Sequence, residues 1–453
     1  MDHKILILQD TIKRLLRRKA IPNLTKIINK THPADIAQIF GNLTEYEYKN
    51  LFNLIKSPEV AADVLSELDS SIVANIVKSL ENERLSEILQ AMSSDDLADL
   101  LSSLPADLSE RILLAIKKED SEDVEELLQH PADTAGRIMN PNFFALREDT
   151  TVQDAISAVR KAADAEMVFY LYVVDERNHL VGVVSLRQLI IAPPYLTLKD
   201  IMIPDVISVT TDMDQEEVAR IVEKYNILAV PVVDDKNHLV GIITVDDVID
   251  VIRSEATEDI MKMAGTVEEE YSYLDNIFKA SRFRLPWLIT NLLGGLLTGY
   301  LMWLFKITLK EVLALVTFVP VITGMGGNVG TQSSSIVVRG IAIGKIDYSK
   351  IYRVLFREVR VGFLMGLTCG LVVGFIGYIW HHNFILGIVV GISMTVAMTV
   401  AATMGAMVPA FFHKIKIDPA IASGPFVTTA NDITGILIYF GCATFFLKYL
   451  LAG

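Results

Sequence analysis

At 453 residues the chain is too long for one ordinary domain and suggests about three. Its mean hydropathy of +0.39 sits beside 21% charged residues because the charges are segregated: residues 282–453 hold 13 Lys+Arg and 5 Asp+Glu, net +8, which leaves −22 for residues 1–281. An acidic half joined to an apolar half excludes nucleic acid as a partner, since phosphate binding needs clustered Lys and Arg, and suits cations. The two cysteines, Cys369 and Cys442, both lie in apolar stretches, so neither a disulfide scaffold nor a thiolate zinc site is indicated.

The opening 20 residues lack the apolar core of a signal peptide and carry Lys13, Arg14, Arg17, Arg18 and Lys19. That run reads as a solvated helix face, with docking on anionic lipid as the alternative. Residues 21–130 have helical apolar spacing with little sign of strands, which predicts an all-α helical-repeat domain over 1–130. Pro33, Pro58 and Pro105 each open a similar run, and proline is expected in a helix's first turn, where its missing N–H costs nothing. Asp95, Asp96 and Asp99 fall within about one helical turn, close enough to share a hydrated cation, although solvated surface is the ordinary meaning of any one of them.

The clearest repeat follows. Val173-Val-Asp-Glu-Arg-Asn-His-Leu-Val-Gly-Val-Val-Ser recurs as Val232-Val-Asp-Asp-Lys-Asn-His-Leu-Val-Gly-Ile-Ile-Thr, and Ile138-Met139 and Ile201-Met202 precede the two copies. Each copy reads as strand, turn at Asn-His, strand and helix. The α/β pair over 131–253 resembles tandem CBS domains, regulatory modules that commonly bind adenosine nucleotides or ions. That resemblance implies a Gly-x-x-Thr/Ser-x-x-Asp pocket, which Gly241, Thr244 and Asp247 fit in the second copy. The first copy departs, with Gln188 where the aspartate would stand after Gly182 and Ser185. Whether an adenosine nucleotide occupies the second copy is left open.

Residues 254–280 predict a connecting helix. Glu255, Glu258 and Asp259 share one face by their spacing, which sets like charges against each other unless cations or a basic partner intervene. Glu268, Glu269 and Glu270 continue the acidity, and Asp212, Asp214, Glu216, Glu217, Asp246, Asp247 and Asp250 lie a short way upstream. An acidic linker in water is the alternative.

Residues 281–453 predict a five-helix α transmembrane domain with spans at 285–305, 312–338, 361–380, 386–412 and 420–446. Arg339, Lys345, Lys350, Arg353, Arg357 and Arg360 lie between the second and third spans, so that loop should be cytoplasmic, which keeps the N-terminus inside and leaves the C-terminus outside. The second span packs four glycines and four polar side chains, Asn328 among them, between Pro320 and Gln332. Unusual backbone at membrane depth is tolerated only against protein or a water-filled cavity, with helix-packing notches as the alternative use of the glycines. Thr395, Thr399 and Thr403 put three hydroxyls on one face of the fourth span, to line a pathway or to bond back to their own helix. In the fifth, Asp432 stands in apolar sequence, at a cost of roughly 2.5–3.5 kcal/mol even on a lenient insertion scale. No Lys, Arg or His lies mid-span to pair with it, so a watery ion pathway is the expected reason for it. An odd number of spans gives no simple inverted repeat within the chain, so a pore is expected between two copies.

Together, Pro320, Gly324-Met-Gly-Gly-Asn-Val-Gly, Gln332, Asp418-Pro419, Gly424-Pro425 and Asp432 resemble the MgtE magnesium transporters and channels, and Pro131-Ala-Asp-Thr-Ala-Gly-Arg-Ile-Met139 is similar to the run that opens their CBS region. The resemblance covers essentially the whole chain. It implies a multi-pass homodimer in the plasma membrane, not an enzyme, whose Asp432 pair on the two-fold axis recognises hydrated Mg2+. It further implies that cytosolic Mg2+ closes the pore by binding Asp214, Asp247, Glu255, Glu258, Asp259 and Asp418, with Asp95 in the helical domain. A CBS-regulated channel for another divalent cation or for an anion is the alternative. An anion pore would call for intramembrane basic residues, and an ATP-driven pump for a P-loop, which Arg339-Gly-Ile-Ala-Ile-Gly-Lys-Ile346 does not complete.

Overall fold

The computed structural model describes residues 3–116, 118–161, 169–267, 270, 277–346, 351–421 and 424–451. By its contacts the chain divides into two compact units, 1–252 and 253–453, each taken here by itself.

Among the described residues the first unit begins with ten helices: α1 (His3–Arg17), α2 (Ile21–Ile28), α3 (Pro33–Phe40), α4 (Glu45–Phe52), α5 (Pro58–Ser66), α6 (Ser70–Ser79), α7 (Asn82–Leu89), α8 (Ser94–Ser103), α9 (Ala106–Ala115) and α10 (Lys118–Gln129). Each is short, so its stability comes from the apolar face it buries against its neighbours. Phe40, Leu51, Leu65, Ile76, Ile88 and Ile112 form one continuous core along the stack. Pro33 and Pro58 stand in the first turns of α3 and α5 as expected. Pro105 is instead the residue before α9, at its N-cap.

The repeat follows as α11 (Ala135–Ile138), β1 (Ala145–Arg147), α12 (Val152–Lys161), β2 (Tyr170–Val174), β3 (Leu180–Ser185) and α13 (Leu186–Ile191), then α14 (Leu198–Ile201), β4 (Val209–Thr210), α15 (Gln215–Tyr225), β5 (Ala229–Val233), β6 (Leu239–Thr244) and α16 (Val245–Ala264). Each copy is a three-stranded sheet, ordered β1-β2-β3 and β4-β5-β6, with a parallel first pair and an antiparallel second. The Asn-His turns work because Asn178 and Asn237 adopt left-handed φ of +63° and +66°, a conformation asparagine tolerates. The two turns meet, and His179 and His238 stack with ring centroids 4.8 Å apart. The copies also exchange their Ile-Met segments. Asn140 pairs with Ile242 of the second sheet, and Ile203 with Val183 of the first. Met139 thereby covers Gly241, where a Cβ would lie 2.7 Å from its sulfur, and Met202 covers Gly182.

The second unit takes the end of α16, then α17 (Ile277–Leu304), α18 (Lys306–Glu311), a 3-10 turn (Leu313–Phe318), α19 (Val319–Ala342), α20 (Ile351–His381), α21 (Phe384–Lys414), α22 (Pro425–Phe445) and α23 (Leu447–Leu450). Five helical stretches among the described residues, α17, α19 with the turn before it, α20, α21 and α22, are long and apolar enough to cross a membrane. The expected connecting helix over 254–280 differs: α16 already starts at Val245 and stops at Ala264, because Gly265 takes a left-handed φ of +79° and closes it as a C-terminal glycine does. Glu268, Glu269 and Lys350 lie outside the described residues. Arg339 belongs to the last turn of α19 rather than to a loop. α20 and α21 pack backbone to backbone along Gly362, Gly366, Gly370 and Gly374, the last of which would set a Cβ 2.6 Å from the Gly387 carbonyl oxygen.

Candidate functional site

Acidic side chains gather at one place in each unit. In the first, the opening of α8 presents Asp95 and Asp96, with Asp99 one turn on. Asn140, in the segment after α11, donates to Asp95 Oδ1 at 3.4 Å, and Asn142 to Ser94 Oγ at 3.2 Å. Arg137 is buried, donating to the Ala98 carbonyl at 3.1 Å and to Ser102 Oγ. Asp247, at the start of α16, accepts from the Thr244 N–H at 3.1 Å and from the Thr244 hydroxyl at 2.5 Å. Burial first, and then the charge of Asp95, push the Asp247 carboxyl up to about 8. Asp96 rises to about 6 through burial and Asp95, although its surface stays open to water. Close packing around it takes Asp99 to about 6 against the pull of Arg137, although it too keeps an exposed face. Asp95 itself is raised by burial. These carboxyls, raised together by packing and by one another, hold their protons more tightly than free aspartates; among the described residues no three acidic, His or Cys side chains come together closely enough to hold a metal ion.

The other residues expected there separate. Asp214 caps α15, accepting from the Glu216 N–H at 2.8 Å, and stays exposed. Thr244 is almost fully buried and its hydroxyl is already engaged by Asp247; Ser185 and Gln188 form the same helix cap in the first copy.

In the second unit, Glu258 and Asp259 on α16 converge with Asp418, in the segment between α21 and α22, and Glu255 lies one turn before them on the helix. Lys262 stands among them, 2.5 Å from Glu258 Oε1 and 2.6 Å from Asp418 Oδ2. Burial lowers the lysine's affinity for its proton, but hydrogen bonds to Asp418 and Glu258 outweigh it and hold the pKa above its ordinary value. Asp259 is raised by burial and by Asp418, against Lys262 and Arg339. Glu270, also in the acidic run, is taken up by Arg284, whose Nε donates at 2.7 Å, and by the Thr266 hydroxyl. Just past Lys262, the Met263 carbonyl reaches Gly424 at the head of α22, and Trp287 and Pro425 cover Gly265.

Asp432 lies on α22, half-buried; among the described residues no hydrogen bond or ion pair engages it. The preceding Asn431 is fully buried and donates to the Gly326 carbonyl of α19 at 3.3 Å. Gly330 makes room for it, and Gly327 faces Thr428. Asn328 falls on the other side of α19, in an exposed row with Gly324, Thr331 and Gln332. Thr395, Thr399 and Thr403 bond back to carbonyls four residues earlier at 2.7–2.9 Å, so their hydroxyls are committed to α21 itself; Thr395 also reaches Gly366 of α20.

Three participants escaped the reading of the sequence. Lys262 pairs with a residue 156 positions away, and the sequence carries no signal of that. Asn431 was within view, beside Asp432 in the same polar stretch. Glu358 stood just ahead of the expected third span, but α20 begins at Ile351 and buries it, with Ser333 of α19 donating to its Oε2 at 2.8 Å. The spanning helices therefore hold a second carboxylate.

Comparisons agree with this layout. Residues 319–442 match the family model described as MgtE, divalent cation transporter; 31–133 match the MgtE intracellular N domain; 135–194 and 198–254 match CBS domains. The chain is 38% identical to a magnesium transporter MgtE of Bacillus subtilis over 99% of both chains, and 40% identical to one of Enterococcus faecalis over 73% of both. A crystal structure of the cytosolic domain of the Mg2+ channel MgtE in complex with ATP aligns with 54% of this chain and 99% of its own at 38% identity and a TM-score of 0.52. The soluble part of a magnesium transporter aligns with 56% and 99% at 33% identity and a TM-score of 0.51. Inosine-5'-monophosphate dehydrogenases match over only 25% of this chain, so their chemistry does not carry across. The chain belongs to the MgtE family of membrane transporters, built from an intracellular N domain, a CBS pair and a membrane domain of five spans.

Proposed function

We propose that the protein conducts hydrated Mg2+ down its electrochemical gradient through a pore between two copies, and that cytosolic Mg2+ closes it. The observation that carries this is Asp432: a carboxylate without a partner among the described residues, in a helix apolar and long enough to span. Such a group is tolerated where water and a cation reach it. Mg2+ sheds water reluctantly and is usually held through one or two carboxylates plus water, so two Asp432 side chains would neutralise it with its shell largely kept. The exposed row Gly324, Asn328, Thr331 and Gln332 on α19 supports a second copy as the other wall, because polar groups at that depth are poorly matched to acyl chains. There the Asn328 amide would hydrogen-bond the ion's water.

The two acidic gatherings, Asp95 with Asp247 and Glu258 with Asp259 and Asp418, supply the sensor; Asp214, exposed at the head of α15, and Glu255, one turn before Glu258, add further negative charge. Without cations these carboxylates repel; with Mg2+ they are drawn together, and the difference in affinity biases the gate. The basic residues at the facing ends of α19 and α20, Arg339, Arg353, Arg357 and Arg360, with Lys345 between them, support a cytoplasmic N-terminus and a C-terminus outside. The kinship with an ATP-bound cytosolic domain supports an adenosine nucleotide at the second CBS copy, where Thr244 and Asp247 would turn from each other to the ligand. Loss of ATP binding in Asp247→Asn is the expected result there.

Mg2+ flux into proteoliposomes tests the pore. Asp432→Asn is expected to abolish uptake that the wild type supports, and equal uptake by the two would remove Asp432 from the pathway.

A further inference from the structure

The acidic gathering at the end of α16 already holds a cation of its own. One ammonium, that of Lys262, joins Glu258 on its own helix to Asp418 in the segment before α22, at 2.5 and 2.6 Å. The other Asp418 oxygen accepts from the Ala420 N–H at 2.8 Å, which fixes the carboxylate in the orientation that faces the lysine. The lysine side chain is 23% exposed, so the pair is partly shielded from solvent. The next residue, Met263, is the one whose carbonyl abuts Gly424. The ion pair therefore sits beside the contact between the end of α16 and the head of the helix that carries Asp432.

We propose that Lys262 is a tethered counter-ion that stands in for the regulatory divalent cation: in the absence of Mg2+ it neutralises Glu258 and Asp418, keeps α16 against the head of α22, and sets how far the gate closes without metal. This rests on the sensor reading above, in which Mg2+ draws the same carboxylates together. The two cations are not equivalent. An ammonium brings one charge and three donors on a flexible stem, whereas Mg2+ brings two charges and a rigid octahedral shell. Three carboxylates, with Asp259 included, outweigh a single lysine, so a net negative charge remains for the metal. The lysine sets a floor of closure, and Mg2+ supplies the rest.

Limited digestion of the full chain in lipid nanodiscs by a glutamyl endopeptidase, followed at the bond after Glu255, tests this. In EDTA, Lys262→Gln is expected to be cut roughly 5-fold faster than wild type, the scale of a partly exposed ion pair. Lys262→Arg, which keeps the charge, should stay near the wild-type rate. In saturating Mg2+ all three should converge, because the metal then occupies the carboxylates. If wild type is protected by Mg2+ but Lys262→Gln matches it in EDTA, the lysine inference fails and the sensor reading stands. Faster cutting of Lys262→Gln in saturating Mg2+ as well would mark a merely structural lysine and overturn the inference. Wild-type cleavage that ignores Mg2+ would overturn the sensor reading, and the inference with it.

Discussion

The carbonyl oxygen of Met263, at the end of α16, comes so close to Gly424, at the head of α22, that a Cβ on Gly424 would lie 2.6 Å from it. A backbone carbonyl cannot swing aside as a flexible side chain can, so a larger residue at 424 must push one helix end away from the other. Eight residues along α22 stands Asp432. If closure depends on this contact, Gly424→Val should raise the cytosolic Mg2+ concentration that half-closes the channel by about 3- to 10-fold and leave the maximal flux in low Mg2+ intact. Flux through reconstituted protein, with Mg2+ varied on the cytosolic side, reads both. An unchanged midpoint would separate the contact from gating.

The acids of the first unit give stability a definite pH dependence. Asp247 is raised to about 8, and Asp96 and Asp99 to about 6, above the ordinary aspartate value in the unfolded chain. Between those values the folded state binds more protons than the unfolded state. The stability these groups contribute is therefore present at low pH and lost as pH rises from about 4 through 8. In EDTA the thermal midpoint of the first unit, within the full chain, should fall by roughly 5 °C from pH 5.5 to 8.5. Asp247→Asn should remove much of that slope, and saturating Mg2+ should flatten it because the cation takes the place of protons. A midpoint that rises with pH in EDTA would contradict the arrangement.

The architecture was legible because periodic and repeated sequence states it directly. The Asn-His turns announce the two copies, and the five apolar runs match the spanning helices to within a few residues at most ends. What stayed hidden depends on where a helix begins or on distance along the chain. Glu358 precedes the expected span at 361–380, yet it is buried in the membrane half because α20 starts ten residues earlier, at Ile351. The connecting helix was drawn too long, although Gly265 was in view as a stop signal. No local pattern marks that Lys262 meets Asp418, or that Asp95 and Asp247 share a charge field while Asp214 spends its carboxylate on capping α15.

The glycine seam between α20 and α21 should be sensitive to added bulk, because backbone faces backbone along it. At Gly374 the new side chain would meet the Gly387 backbone, and at Gly370 that of Gly391. Gly374→Leu must part the helices over this stretch, with a cost of about 1–3 kcal/mol as for other overpacked sites. A fall in the thermal midpoint of the detergent-solubilised protein is expected, whereas Gly295→Leu, at a glycine with open space around it, should leave the midpoint in place.

Asn431 and Gly330 offer a test of how Asp432 is aimed. The Asn431 amide is packed so tightly over Gly330 that a Cβ there would overlap its Nδ2, and the same amide donates to the Gly326 carbonyl at 3.3 Å. Gly330→Ala must lift Asn431 off Gly326. Because Asp432 is the next residue on α22, the carboxylate turns with it. Misplacing an ion-binding group by an ångström or so costs heavily, and Mg2+ flux is expected to drop about 10-fold or more. Asn431→Ala alone gives up the hydrogen bond but leaves α22 free to settle, with a smaller loss. The informative measurement is the double variant. If the damage in Gly330→Ala comes from the collision, trimming Asn431 relieves it, and Gly330→Ala/Asn431→Ala should conduct better than Gly330→Ala alone, an interaction energy of about 1 kcal/mol or more in a double-mutant cycle. Losses that simply add would mean that Gly330 acts without Asn431, and that Asp432 is oriented by something other than its neighbour.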